Sequence, residues 1–420
     1  MKLTRYIPKL KFRFIHTLTI VAVGLMVMTL ASCDSTTPEI KYLDQPDDDT
    51  PVQRSVLVYM LADNSLGRDG YDRQNLADMI AAVRDGRTGG NRLIIYHDDR
   101  NADHPALKEV TPMGLCIIKE YDDTESSVSG SRMAQVIADF KAIAPAENYG
   151  LILWSHATGW LQTGIPDSYQ NVTPAWIGQD KNDYMNVTTL ARVLDGKGFD
   201  YIYFDCCHMS SVESLYELRG VADTFVGSCT ELPAEGMPYY ETLPYLMAED
   251  ADLIAAARAT FNKYDNLTGS ARTSTMSVIN ASALDGLADA TRKLYALHPK
   301  LSASYAGQSF ERAKAGGEPC YMFDFADYIG ALYSSDASDS NFRRAYAEWL
   351  IALDECVEYQ AATPYIFNTI RISAHCGLST YILRRESDAD TKGYKQLVWW
   401  RDVASALYAE DVQTDNTPAE

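Results

Sequence analysis

Five runs of apolar residues recur in the first half of the chain, and amphipathic stretches separate them. Runs that are apolar at nearly every position are typical of parallel strands covered on both faces. Apolar residues spaced three and four apart in the intervening stretches predict helices. The predicted strands span residues 55–62, 92–97, 149–155, 201–206 and 224–229, with a short edge strand at 116–121, and the predicted helices span 71–83, 131–143, 186–194 and 212–221. This alternation predicts an α/β fold in three layers, an α/β/α sandwich with a mostly parallel central sheet.

The pattern changes after residue 238, where helical spacing predominates. The predicted helices there span 239–266, 283–297, 341–361 and 394–409, with strand-like runs at 276–279 and on both sides of Gly377. We therefore expect a core over residues 55–245 and a mixed helical and strand C-terminal extension over residues 246–420. A separate second lobe fits the same pattern, and the two alternatives stay open.

The first 33 residues have the pattern of an export signal. Five basic residues precede an apolar run at 18–31, which is shorter than the roughly 18–20 residues that a membrane-spanning helix needs. The run ends in Leu30-Ala31-Ser32-Cys33, which resembles a bacterial lipobox, so Cys33 is expected to become the lipidated first residue after residues 1–32 are removed. An ordinary signal peptide with an incidental cysteine is the alternative.

A lipid on Cys33 would anchor the protein to a membrane and leave its body in water. Residues 33–54 then form a flexible acidic tether, because proline and like charges keep such a segment extended. We expect an exported bacterial lipoprotein at the outer membrane or cell surface, with a periplasmic location left open.

Charge and composition exclude several classes of protein. The chain has 37 Lys and Arg against 57 Asp and Glu, and the five basic residues of the signal leave 32 − 57 = −25 for the remainder. A body this acidic repels phosphate backbones, which argues against nucleic-acid binding. A hydrophobic content of 46% excludes wholesale disorder. Seven cysteines remain after Cys33, so at least one is free unless chains cross-link, and the absence of a C-x-x-C pair gives structural zinc no support.

Two of the predicted strands end in groups that can carry chemistry. The third is followed by His156 and the fourth by Cys206 and Cys207. Neighbouring parallel strands end at the same edge of a sheet, so His156 is expected to face one of these cysteines. A thiol beside an imidazole is a nucleophile with a base at hand. A structural histidine beside a small buried cysteine is the alternative that the pattern alone leaves open.

Four blocks carry a resemblance to a known family. Residues 154–160 read WSHATGW, residues 204–209 read FDCCHM, residues 63–66 match D-N-x-L, and residues 228–239 match S-x-x-E-x-P-x-D-G-W-x-Y in part. These blocks resemble those of clostripain-type cysteine peptidases, the C11 group, which are relatives of caspases. The resemblance implies a caspase-like sandwich and a cysteine endopeptidase that acts through an acyl-enzyme. It gives Cys207 the role of nucleophile and His156 that of its acid–base partner, and no third member of a triad is evident.

The resemblance also implies a substrate class. It gives the backbone N–H groups of Ala157 and Cys207 to the oxyanion hole, and it gives Asp205 and Glu235 to an S1 pocket that takes Arg or Lys. Family members cleave themselves between the two catalytic blocks, and Lys181 is the exposed basic residue expected to mark that site. Three departures from the pattern weaken this inference: Ala157 replaces a glycine, Glu235 an aspartate and Met237 an aromatic residue.

The expected partners are peptides or proteins with basic residues, with membrane contact through the lipid alone. No cofactor or metal is expected, while calcium dependence, oligomeric state and the choice between Arg and Lys stay open. A catalytically silent surface-binding lipoprotein that reuses the fold is the alternative function, and a non-peptidase hydrolase with the same dyad is a third.

Overall fold

The protein was analysed as a computed structural model, which describes residues 42–43, 51–161, 177–297, 305, 307–311, 320–336 and 338–408. The predicted signal peptide, Cys33 and most of the predicted tether lie outside the described residues. No helix within the described ranges is both long and apolar enough to span a membrane.

The described chain contains sixteen strands, numbered in chain order: β1 Tyr42–Leu43, β2 Val52–Leu61, β3 Arg92–Asp98, β4 Ala106–Thr111, β5 Gly114–Glu120, β6 Ala146–Trp154, β7 Ile177–Asp180, β8 Asp183–Met185, β9 Phe199–Asp205, β10 Ala222–Gly227, β11 Thr275–Asn280, β12 Phe323–Asp324, β13 Val357–Ala362, β14 Tyr365–Ile366, β15 Ile370–Arg371 and β16 Ser379–Thr380. Ten of them form one sheet in the order β1-β5-β4-β3-β2-β6-β9-β10-β11-β13. Its centre, from β3 to β10, is parallel, and β4, β11 and β13 are antiparallel to their neighbours.

The α-helices of the described ranges are α1 Ser65–Arg68, α2 Tyr71–Arg84, α3 Gly130–Ile143, α4 Val187–Leu194, α5 Val212–Leu218, α6 Tyr239–Leu246, α7 Leu253–Asp265, α8 Leu284–Leu297, α9 Phe325–Asp336, α10 Ser340–Cys356 and α11 Val398–Asp402. They cover both faces of the sheet. The predicted three-layer α/β/α fold with a mostly parallel sheet is therefore confirmed.

Side chains of the central strands alternate between two hydrophobic cores. Along β2, Leu57 and Tyr59 face a core that includes α3, α4, α5 and α8, while Val56 and Val58 face a second core that includes α2, α6 and α7. Period-two alternation with both faces apolar explains why the strand sequences are nearly continuous runs of apolar residues. Burying each such side chain contributes roughly 1.5–3 kcal/mol to the free energy of folding. The centre of the sheet is therefore stable enough to position the residues that follow its strands.

The observed strands and helices differ from the predicted ones in several places. Strand β4 was not predicted, and the predicted edge strand at 116–121 is β5, which pairs with β1 and β4 on its two sides. The predicted helix over 341–361 ends at Cys356, because the chain continues as β13. The predicted helix over 239–266 is interrupted between α6 and α7, and the segment 394–409 contains only the short helix α11 with 3₁₀ turns beside it.

The second half of the chain contributes to the same sheet. Strands β11 and β13 extend it beyond β10, and residues 37–420 form one compact unit. The described chain also contains three two-stranded sheets, β7–β8, β12–β16 and β14–β15.

Candidate active site

The carboxyl ends of β6 and β9 bring the predicted histidine and cysteine to one edge of the sheet. The two strands are parallel neighbours, and Trp154 of β6 lies opposite Asp205 of β9 in their register. His156 and Cys207 each follow this pair by two residues. Both are half-buried, although the residues on either side of each are buried. The two side chains therefore leave the sheet at equivalent positions and reach a surface that solvent or a ligand can enter.

Cys207 lies in a strained turn that is fixed from the end of β10. The following residue, His208, has a φ of 57°, a conformation that is uncommon for a side chain other than glycine. Its N–H donates to Thr230 O at 3.1 Å, and its Nδ1 lies 3.0 Å from Cys229 O. These contacts hold a backbone conformation that would otherwise relax, and they fix the position of the neighbouring Cys207.

The sulfur of Cys207 receives a backbone hydrogen bond. The N–H of Leu232 donates to Cys207 Sγ at 3.3 Å, which favours the thiolate. Burial has the larger, opposite effect, and it raises the pKa of the Cys207 thiol to about 12. The resting cysteine is therefore protonated, and it needs a base before it can attack.

His156 is held at its backbone and at its ring. Its carbonyl accepts the N–H of Gly178 at 3.1 Å, and its Nε2 lies 2.7 Å from Ser65 Oγ. Burial lowers the pKa of His156, so the imidazole is neutral near pH 7 and can accept a proton. Ser65 was not predicted from the sequence as a site residue, and it occupies the unspecified third position of the D-N-x-L block.

The two adjacent cysteines have different surroundings. Cys206 is buried in the first core, and it lines an apolar cavity with Leu61, Ile177 and Met185 among others. Burial raises the pKa of the Cys206 thiol well above its ordinary value. Cys207, in contrast, is half-buried and contacts the 230–232 segment. Of these two cysteines, Cys207 is the one that is partly exposed at the end of β9.

Ala157 lies between the His156 strand and the β7–β8 hairpin. It forms an antiparallel bridge with Ile177, and the bond from Gly178 N in this bridge goes to His156 O. That bond does not use the N–H of Ala157. The predicted oxyanion role of the Ala157 and Cys207 N–H groups stays a prediction.

Asp205 is buried, and both of its oxygens have partners. Oδ1 accepts from Met237 N at 2.9 Å, and Oδ2 accepts from Tyr239 OH at 3.0 Å. A Cβ on Gly236 would lie 2.8 Å from Oδ2, so a glycine is needed for this loop to close over the carboxylate. Burial raises the pKa of Asp205 to about 6, and the bonds from Tyr239 and Met237 act against that rise.

Glu235 lies on the same loop and is exposed. Its carbonyl accepts from Asn75 Nδ2 at 3.1 Å, and Asn75 Oδ1 accepts from Trp154 Nε1 at 2.7 Å. Asn75 therefore joins the strand that leads to His156 with the loop that covers Asp205. The assignment of Asp205 and Glu235 to an S1 pocket stays a prediction, with Asp205 also fastening the loop.

Lys181 occupies the tip of the β7–β8 hairpin. Its φ is 52°, its N–H donates to Asp63 O at 2.8 Å, and its ammonium lies 3.1 Å from Asp123. Lys181 is half-exposed, as the sequence predicted for a cleavage site, but its backbone is bent and bonded. Cleavage after Lys181 stays a prediction, and it requires this turn to open into the extended form that peptidases bind.

Two further clusters hold ionisable side chains, one around residues 375–376 and one at the end of β3, which shares a sheet edge with the ends of β2 and β6. Cys376 donates from its N–H to Asp324, and Nδ1 of the adjacent His375 lies 3.1 Å from Gln360 Oε1. Asp72, His97 and Asp99 lie close enough to share a metal ion. The ammonium of Lys108 lies 3.1 Å from His97 Nδ1, and His97 Nε2 lies 3.1 Å from Asp72 Oδ2, so we interpret this second cluster as a hydrogen-bonded network of ionisable side chains.

Comparison with known proteins identifies the family. The sequence profile of the Clostripain family of C11 peptidases matches residues 58–403. The X-ray structure of an inactive zymogen C11 protease from Parabacteroides distasonis is similar at 29% identity and a TM-score of 0.71, over 85% of this chain and 99% of that chain. A secreted C11 cysteine protease from Bacteroides thetaiotaomicron, solved with an irreversible peptide inhibitor, is similar at 27% identity and a TM-score of 0.68, over the same shares of the two chains.

A search of curated proteins finds no significant match. The family match covers more than half of the chain, and it includes every strand from β3 to β16. The protein therefore belongs to the clostripain family and is a cysteine-type peptidase, whose substrates are peptides or proteins.

Proposed function

We propose that this peptidase is an endopeptidase that works with a dyad of Cys207 and His156. The observation that carries the proposal is the register of β6 and β9, in which each residue follows the Trp154–Asp205 pair by two positions. The neutral imidazole removes the proton from the thiol, and the thiolate attacks the carbonyl carbon of the scissile bond. The imidazolium then protonates the leaving amine, and water hydrolyses the acyl-enzyme. The N–H groups of Ala157 and Cys207 stabilise the oxyanion.

We further propose cleavage after Arg or Lys. A basic side chain gains most from a carboxylate when the pair is shielded from water, and the Asp205 carboxylate is buried at the end of β9. Glu235 adds an exposed carboxylate on the loop that Asp205 fastens. The net negative charge of the body attracts cationic substrates at low salt, while the two carboxylates select the P1 residue.

The experiment that tests both proposals is active-site labelling with peptidyl electrophiles. Peptidyl-Arg and peptidyl-Lys reagents are expected to modify wild-type Cys207, and a peptidyl-Leu reagent of the same length serves as the control. Peptide mapping should locate the adduct, and His156→Ala should lose it. Absence of any adduct and of hydrolysis across a panel of P1 residues would refute the proposed dyad and favour the alternative of a catalytically silent surface-binding lipoprotein. Equal labelling by all three reagents would refute the basic preference alone.

Self-cleavage after Lys181 is proposed as the processing event. Its support is the half-exposed position of Lys181 at a hairpin tip between the two dyad residues. Intact-mass analysis should give two fragments for wild type and one chain for both Cys207→Ala and Lys181→Ala. An uncut wild-type chain that still hydrolyses substrate would contradict this proposal without affecting the dyad.

We propose a lipid-anchored location through Cys33, supported by the signal-like sequence before it. Detergent phase partition of the full chain expressed in a bacterial host should place wild type in the detergent phase and Cys33→Ala in the aqueous phase. Equal partition of the two would contradict lipidation.

A further inference from the structure

We infer that Ser65 is a positioning residue for the catalytic histidine, and that it fixes which imidazole nitrogen exchanges the proton with Cys207. The inference rests on the dyad proposed above. It begins with the contact between Ser65 Oγ and His156 Nε2, whose length of 2.7 Å is that of a good hydrogen bond. Position x of the D-N-x-L block, which is Ser65 here, is not specified by the family pattern.

Hydrogen bonds and close packing fix the turn that carries Ser65. Asn64 caps α1, because its Oδ1 accepts from Leu66 N at 2.9 Å. Its Nδ2 donates to Leu61 O at 2.8 Å and to Gln179 O at 2.9 Å. A Cβ at Gly67 would lie 1.9 Å from Ala62 O, so the turn closes only around a glycine. The turn that carries the Ser65 hydroxyl therefore contacts β2, α1 and the β7–β8 hairpin.

The same hairpin also fixes the other partner. Gly178 N donates to His156 O, and Gln179 N donates to Ser155 Oγ at 3.1 Å. The segment 178–179 therefore holds the turn that carries Ser65 and the segment that carries His156. The distance between the hydroxyl and the imidazole is set by one shared element, which is the arrangement that pre-organises a catalytic group.

The contact has a chemical consequence for the tautomer. When Ser65 Oγ accepts from Nε2–H, the neutral ring carries its lone pair on Nδ1, and Nδ1 accepts the Cys207 proton as the S–H bond breaks. The Nε2–H bond to Ser65 is retained, and it strengthens because its donor is now part of a cation. Ser65 therefore stabilises the charged ring and keeps it from rotating, without touching substrate.

The test compares Ser65→Ala with Ser65→Thr, which retains the hydroxyl. We expect Ser65→Ala to lower kcat about tenfold with KM little changed, the size expected for one hydrogen bond. The acid limb of the kcat profile should move to lower pH, because the imidazolium loses its acceptor. Ser65→Thr should restore both values, and Ser334→Ala, which removes an exposed hydroxyl from α9, is the matched control.

Two outcomes separate this inference from the dyad. If wild type is active and Ser65→Ala keeps the wild-type kcat and pH profile, the positioning role is wrong and the dyad stands. If His156→Ala has the activity of wild type, the proposed dyad is wrong, and the role of Ser65 is wrong with it. A loss in Ser65→Ala that affects KM and kcat equally, with no shift of the pH limb and no rescue by Thr, would also overturn the inference. Thermal unfolding of each variant checks that the fold is retained.

Discussion

Two pairs of histidine and cysteine in the described part of the chain can be compared, His156 with Cys207 and His375 with Cys376, and their sulfurs make different hydrogen bonds with the backbone. At the edge of the sheet, Cys207 Sγ accepts a backbone N–H from Leu232. In the 375–376 pair, Cys376 Sγ donates to Leu378 O at 3.2 Å. Burial raises the pKa of both thiols and backbone hydrogen bonds act against that rise in both, so the comparison teaches that position marks the candidate nucleophile: Cys207 follows the end of β9, level with His156 at the end of β6.

The two histidines differ in a parallel way. Nε2 of His156 contacts a hydroxyl, whereas Nε2 of His375 is buried and has no partner in the described part of the chain. Burial lowers the pKa of His375 to about 4. A proton added to His375 would have no acceptor, so this ring stays neutral across the physiological range.

The largest expected effect separates the two cysteines. Cys207→Ala should reduce hydrolysis by roughly a thousandfold or more, since the nucleophile is lost. Cys376→Ala should stay within about twofold of wild type, because its thiol lies outside the proposed dyad. Steady-state rates on a peptide with Arg at P1 measure both. A large loss in Cys376→Ala with an unchanged melting temperature would break the comparison.

An effect of intermediate size is expected at Asn75, which contacts Trp154 in the strand before His156 and Glu235 in the loop over Asp205. Asn75→Ala removes the bonds to Trp154 Nε1 and Glu235 O, so both the His156 strand end and the 235–239 loop lose a contact. We expect kcat/KM to fall about tenfold, since two hydrogen bonds to buried or half-buried partners are lost. Kinetics on Arg and Lys substrates test this, and the exposed Asn341→Ala on α10 is the control. Wild-type kinetics in Asn75→Ala would show that these contacts are not needed.

The smallest effect concerns stability and the second pair. The folded pKa of His375 is about 4, below the ordinary value of 6.5, so the unfolded chain binds more protons between these two pH values. Its contribution to stability is therefore present above about pH 6.5 and falls as the pH drops towards 4, by about 1.4 kcal/mol per pH unit at most.

Replacing His375 by Asn removes this titration and keeps an amide donor for Gln360. Urea unfolding at pH 7 and pH 5 should show a smaller loss of stability on acidification in His375→Asn than in wild type. Activity at pH 7 should be unchanged. An identical pH dependence in the two proteins would contradict the assignment.

The parallel centre of the fold could be predicted because its strands are nearly continuous apolar runs between amphipathic helices. The antiparallel strands were harder to predict. Strand β4 reads ALKEVT, in which charged residues interrupt the apolar pattern, and the buried Lys108 ammonium lies 3.1 Å from His97 Nδ1. Strand β13 follows α10 with no proline or glycine between them, so no residue there marks the end of the helix.

The strand-end residues of the site could also be predicted, whereas their supports could not. His156 and Cys207 stand out because parallel strands end together, a rule that needs no coordinates. Ser65, Asn75 and Leu232 act through contacts between segments that are 25 or more residues apart. A serine after a helix cap and an asparagine within a helix are common, and only the packing of α1, α2 and the 230–232 segment gives them these partners.

The pairing of β6 with β9 has a consequence for the connectivity of the molecule. Five residue pairs join these strands from Gly150–Tyr201 to Trp154–Asp205, and both strands are buried within the sheet. Cleavage of the chain at the tip of the β7–β8 hairpin, which lies between these two strands in the sequence, would leave their pairing in place. Two separately expressed pieces, ending and starting near residue 181, should therefore find each other and reconstitute one folded body. The peptide bond at the tip of the β7–β8 hairpin is therefore expected to be dispensable for cohesion, whereas residues 178 and 179 of the same hairpin still hold His156 and the turn that carries Ser65.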